Sequence, residues 1–202
     1  MYTILIAAGW PIWPLLLTSI IALAILIERI WFLQAQKIAP RHLIEGAIQL
    51  ADSGALKNPT SAKQALETLE NSAPLGRILS AGLAQSENPE KSFVAMQESA
   101  QEVSHLLERY MSALATIATI APLLGLLGTV IGMIEIFGSQ QNNGANPQQL
   151  AHGISIALYN TAFGLLIAIP AYAGWRGLKA LIEQRERECE AAAKKLLKHL
   201  FK

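Results

Sequence analysis

Charge is scarce in this sequence, and the scarcity is concentrated. No Asp, Glu, Lys or Arg occurs from Met1 to Ile27, from Tyr110 to Ile134, or from Ile136 to Trp175, where His152 is the only titratable cation. Cysteine is nearly absent as well: Cys189 stands alone and excludes an intramolecular disulfide framework. No His/Cys cluster has zinc spacing and no glycine-rich phosphate loop occurs, so neither a metal nor a cofactor is expected. No Ser/His pair, paired aspartate or HExxH arrangement lies in an uncharged run, and no catalytic residue is expected. A net charge of +1 argues against a general nucleic-acid binder.

Apolar residues are what remain. They make up 52% of the 202 residues, and mean hydropathy is +0.33. A helix needs about 20 apolar residues to cross a bilayer core, and each uncharged run is long enough. The first holds LLLTSIIALAILI between Trp10, Trp13 and Trp31. Such an aromatic belt marks a retained span; a basic n-region and a clean small-residue cleavage site before Glu28 are missing, which argues against a cleaved leader. The third run opens with the polar string GSQQNNGANPQQ, read as a loop.

The expected fold is an all-α membrane protein with three transmembrane helices, the second and third extending as long helices into a cytoplasmic helical bundle. Its parts are an outer N-terminus and first span (1–33), a cytoplasmic helical segment (34–108), the second span (109–137), an outer loop (138–150), the third span (151–175) and a cytoplasmic C-terminal helix (176–202). Lys and Arg set the orientation. Arg29, Lys37, Arg41 and Arg109 bracket the first segment between spans, Arg176, Lys179, Arg185 and Arg187 follow the third, and the 137–151 loop has neither type. The N-terminus is therefore expected outside and the C-terminus in the cytoplasm. In the middle segment, helices are expected over 38–51, over 61–69 capped by Thr60 or Ser61, from Pro74, and without a break from Pro89 to about Phe137, with Asn88 as cap. Val94, Glu98, Val103, Leu106 and Leu107 mark the stripe of that last helix. In the tail, Leu178, Leu181, Ile182, Cys189, Ala192, Leu196 and Leu200 recur at helical spacing, opposite Glu183, Arg185, Arg187, Glu190 and Lys194.

Two spans carry small-residue faces. Ala121, Gly125, Gly128 and Gly132 repeat at three- and four-residue intervals in the second; Ala157, Thr161, Gly164 and Ala168 do so in the third. Such faces let helix backbones approach closely, which makes Gly125, Gly128, Gly132 and Gly164 candidates for helix packing and oligomer contacts. The first span lacks a small face and reads as lipid-facing. Thr129, Ser155, Asn160 and Thr161 place polar groups in apolar helix. A lone membrane threonine ordinarily bonds its own backbone, but an amide in hydrocarbon needs a neighbouring helix, a bundle interior or water. These four are the candidate pore-lining residues. Glu135 is either a snorkelling carboxylate or an ion-collecting group at a pore mouth. Glu28 and Arg29 read as anchors at the inner interface, and His152 as an outer-interface residue.

The strings APLLGLLGTVIGM and GISIALYNTAFGLLIAIPAY resemble those of the ExbB/TolQ/MotA ion-channel family, and the three-span topology resembles its ExbB and TolQ branches. The short opening resembles the shorter ExbB-type biopolymer transport proteins. The resemblance implies a bacterial inner-membrane motor subunit, a homopentamer whose lumen holds the single-span helices of an ExbD-like dimer. Proton flow, or alternatively sodium flow, would drive a TonB-like protein that energises outer-membrane transport. It implies that Thr129 and Thr161 match the family's second- and third-span threonines. Many members carry a glutamate about one and a half turns before the latter; here that position is Ile156, so the titrating group is expected on the partner's helix. The alternatives are a TolQ-type subunit acting through TolA in envelope integrity, and a membrane scaffold that conducts nothing.

Overall fold

The computed structural model describes residues 12–143 and 147–202, and the described residues are helical throughout except for short turns. The helices are α1 (Ile12–Phe32), α2 (Ala35–Ile38), α3 (Arg41–Asp52), α4 (Pro59–Ser72), α5 (Pro74–Ala84), α6 (Pro89–Leu107), α7 (Met111–Asn143) and α8 (Pro147–Leu200), with a 3-10 turn at Ala55–Lys57. Three helical runs are long and apolar enough to cross a membrane: Ile12–Phe32, Pro89–Gly138 and Gly153–Leu200. The fold is the expected one. At 54 residues α8 far exceeds the roughly 20 that a bilayer takes, so much of it lies outside the membrane.

The described residues fall into two compact units, residues 12–28 with 110–177 and residues 29–109 with 178–202. In the first, Leu15 of α1, Ala121 of α7 and Ala168 of α8 form a buried cluster, with Leu124, Phe163 and Ile167 packed against it. The first span is thus not wholly lipid-facing. Leu15 and Ala22 are buried, and a Cβ added at Gly174 would collide with Leu26.

The second unit is a bundle in which α5 is the most enclosed element. Its Leu75, Ile78, Leu79 and Leu83 are buried, as are Ile38, Ala47 and Leu69 from α2, α3 and α4. The carbonyl oxygen of Leu69 occupies the space that a Cβ would need at Gly76, so only glycine permits that approach, whereas at Gly82 the side chain of Met96 fills the space. Asn88 caps α6 as expected, accepting from the N–H groups of Glu90 and Lys91 at 3.0 and 3.1 Å. From the tail stripe, Leu178, Ile182, Cys189, Ala192 and Leu196 are buried.

Several local expectations need correction. The expected single helix from Pro89 to Phe137 is broken at Glu108–Tyr110, where Tyr110 has φ +65°. No glycine or proline marks the break. Its cause is tertiary: the buried Arg29 guanidinium donates 3.2 Å hydrogen bonds to the carbonyls of both Leu106 and Leu107, the last residues of α6. Asn58, not Thr60 or Ser61, caps α4, because its side chain reaches the Thr60 N–H at 3.3 Å. The expected helix over 38–51 is divided, since Pro40 cannot continue α2 and instead precedes α3. On α6, Ser92 and Met96 are buried while Val94 is exposed; the Ser92 hydroxyl donates to the Gly82 carbonyl at 2.9 Å. Arg185 does not belong to the solvent face. Its Nε donates to the Leu33 carbonyl just past α1, and its Nη1 pairs with Glu188 at 2.7 Å. The loop expected over 138–150 is largely helical, α7 continuing to Asn143 and α8 starting at Pro147. Glutamine is a good helix former, and proline at the first helical position is already set for a start.

Candidate functional site

The glycines of α7 meet α8 of the same chain. A Cβ at Gly125 would come 2.7 Å from the Asn160 carbonyl oxygen and 3.0 Å from Thr161 Cα; one at Gly128 would lie 2.8 Å from Asn160 Cβ; one at Gly132 would lie 3.3 Å from Ala157 Cβ. A Cβ at Gly164 would come 2.6 Å from the Ala121 carbonyl oxygen. Positions thus pair in descending against ascending order, and the two helices are antiparallel. On α8, Ala157, Asn160 and Gly164 meet α7 and are buried, and Ala168 and Ala171 further along the helix are buried as well. Periodicity placed Thr161 on this face; it sits at the edge and is half-buried.

Asn160 is 2% exposed. It faces a neighbouring helix, one of the three environments its amide demanded, and within one chain it is part of the packing between α7 and α8. Thr129 and Thr161 each follow a residue of the contact, Gly128 and Asn160. One residue turns a helix by about 100°. In an antiparallel pair that rotation carries both following residues to the same flank, so the two threonines share one side of the helix pair. The Thr129 hydroxyl donates to the Leu126 carbonyl at 2.7 Å, the local bond common for membrane threonines. Its oxygen retains accepting capacity.

The other candidates lie elsewhere. Ser155 is exposed and donates to the Ala151 carbonyl at 2.9 Å. Six residues before Thr161, it points about 120° away around the helix. Glu135 and Glu28 are exposed, whereas Arg29 is 2% exposed and caps α6. Neither the interfacial anchor role nor oligomer contacts of the glycines follow from these placements; Arg29 and the glycines are engaged within the chain. The side chains of His152 and Ile156, and all of Trp10, lie outside the described residues. The α6 cap was not legible in sequence, because Arg29 and Leu107 are far apart in the chain and no local pattern joins them.

Nothing in this arrangement resembles a catalytic constellation: the chemistry on offer is hydroxyl groups on the flank of a tightly packed membrane helix pair. The model of the MotA/TolQ/ExbB proton channel family matches residues 70–191, which include both helices of the pair. The chain is 35% identical over 173 residues to biopolymer transport protein exbB1 of Vibrio cholerae serotype O1, covering 82% of this chain and 73% of that protein. Two proteins of Synechocystis are similar as well. Putative biopolymer transport protein ExbB-like 3 is 33% identical over 169 residues (81% of this chain, 77% of the relative). Putative biopolymer transport protein ExbB-like 1 is 35% identical over 182 residues (88% and 70%). A multi-pass membrane chain with these relatives and this family match belongs to the MotA/TolQ/ExbB proton channel family, a family of channel subunits and not of enzymes.

Proposed function

We propose that this protein is an ExbB-like channel and motor subunit of a bacterial inner membrane, using the proton-motive force with an ExbD-like partner to energise TonB-dependent outer-membrane transport. The observation that carries the reading is the shared flank of Thr129 and Thr161. Three spans are too few to enclose a pore, so the lumen is built by oligomerisation, with a homopentamer as the expected ring. The threonine flank faces that lumen and the single-span helices of an ExbD-like dimer. A hydroxyl donates to a carboxylate and accepts from water, so it assists a proton onto and off an acidic group of the partner. The N-terminus is periplasmic and the C-terminus cytoplasmic, as the lysine and arginine asymmetry indicates. Three relatives named as biopolymer transport proteins favour this reading over a TolQ-type role.

Valine matches threonine in shape but has no hydroxyl. Thr161→Val is expected to keep the oligomer and abolish energy-dependent uptake in cells carrying the partner proteins; Thr129→Val does the same less severely. Normal uptake by the double variant refutes the threonine path. Sodium is the alternative ion, and uptake in sodium-free buffer at fixed proton-motive force distinguishes the two.

A further inference from the structure

The first span carries its own depth gauge. Trp13 and Trp31 are 71% and 66% exposed. Eighteen residues make five full turns, so both lie on the same side of α1, about 27 Å apart along its axis. That distance matches the roughly 30 Å hydrocarbon core of a bilayer. Between them Ile20, Leu23, Ile27 and Ile30 are exposed within the same third of the helix circumference. This stripe faces lipid, and its tryptophans sit at the two interfaces, where indole rings accumulate. Trp31 therefore marks the headgroup layer at the end of the span.

Lys37 reaches back to that layer. Its Nζ lies 3.0 Å from the centroid of the Trp31 ring. The ammonium is shut off from solvent, and among the described residues it has no hydrogen-bond acceptor. A cation on an indole face gains some attraction, but its three N–H donors still lack acceptors, and the ring does not replace them. An anion at headgroup depth supplies what is missing.

We propose that Trp31 and Lys37 form a binding site for the phosphate of an anionic phospholipid. Trp31 covers the ammonium; being largely exposed, its indole can swing into the interface and let the phosphate take the three donors. The lipid is favoured over a free phosphate ion because the site continues the lipid-facing stripe of α1. The site depends on the chain's being a membrane protein and is independent of the transport reading.

The test uses the full-length protein in detergent, titrated with phosphatidylglycerol or phosphatidylcholine and read by native mass spectrometry. The wild type is expected to hold phosphatidylglycerol in preference to phosphatidylcholine. Lys37→Met keeps the aliphatic stem and removes the charge; it should weaken phosphatidylglycerol retention by at least about tenfold, the loss expected when even one charge-assisted hydrogen bond goes. Lys37→Arg should retain the lipid, and Lys63→Gln should change nothing. Equal retention by Lys37→Met and wild type overturns the proposal. Displacement of the lipid by millimolar inorganic phosphate overturns the assignment to lipid. Should Lys37→Met fail to fold, wild-type protein with a headgroup-photoreactive phosphatidylglycerol decides: crosslinks at residues 31–37 support the site, and crosslinks only elsewhere refute it.

Discussion

Gly128 of the second span lies against the Asn160 side chain of the third, so closely that a Cβ at 128 would come within 2.9 Å of Asn160 Cγ and Nδ2. Gly128→Leu forces the two helices apart or expels a buried amide. It is expected to destabilise the chain by about 1–3 kcal/mol, the usual cost of overpacking. Gly132→Ala meets only the Ala157 methyl at 3.3 Å and needs a yield of a few tenths of an ångström. Thermal unfolding in detergent should rank wild type and Gly132→Ala close together and Gly128→Leu clearly below. Size-exclusion chromatography then reports whether the oligomer fails along with the fold. Equal melting temperatures for Gly128→Leu and wild type contradict the helix pair.

Arg29 is a strut. Replacing it with methionine removes the donors to the Leu106 and Leu107 carbonyls. A loss of about 1.5–3 kcal/mol is expected, the range for hydrogen bonds involving a charged group. Both bonds come from the one Nη1, so lysine, whose ammonium has three donors, should rescue to the extent that its stem reaches the two carbonyls. Hydrogen exchange near residues 104–111 locates the effect: the last turn of α6 should lose protection in Arg29→Met first. Unchanged protection there means that the cap contributes nothing.

Cys189 is buried in the extramembrane bundle. Burial, reinforced by the charges of Glu188 and Glu186, pushes its thiol up to about 12. The thiolate fraction at pH 8 is then about one in ten thousand, and alkylation of the folded protein should be very slow. Raising pH increases the thiolate, so reactivity climbs steeply only as pH approaches 12 or once the chain unfolds. Rapid labelling of native protein at pH 8 contradicts the burial.

That silence makes Cys189 a harmless background for a topology experiment. With the orientation proposed above, an impermeant maleimide applied to spheroplasts labels Asn142→Cys and spares Lys198→Cys. The reverse pattern defeats the orientation.

Ile156→Glu tests whether position 156 faces the proposed lumen. Ile156→Glu introduces the carboxylate that many ExbB and TolQ proteins carry at this place. On a water-facing site it should be accepted, with normal membrane levels and retained uptake. On a lipid-facing site a charge costs at least about 2.5 kcal/mol and lowers the amount of inserted protein. Immunoblotting of membrane fractions separates the two outcomes.

The three spans, the cap at Asn88 and the buried tail stripe were readable from sequence because each follows from local physics. Uncharged runs of bilayer length, an asparagine before proline, and apolar residues at helical spacing need no knowledge of the rest of the fold. The small-residue faces were legible for the same reason, but their partner was not. Periodicity states which side of a helix is small and says nothing about what approaches it; the three-dimensional structure pairs Gly125, Gly128 and Gly164 with the neighbouring helix of the same chain. It also moved Asn160 into that contact and left Thr129 and Thr161 on one flank, a grouping that depends on the antiparallel sense of the two helices. The break before Tyr110 and the half-buried Arg185 are tertiary decisions as well. In both cases a guanidinium takes a carbonyl oxygen at a helix end, Arg29 at Leu106 and Leu107 and Arg185 at Leu33. The second donor lies 152 residues from its acceptor. Hydrophobic patterning alone therefore determines where this chain crosses a membrane, whereas contacts across such sequence distances decide where its helices stop and which faces meet.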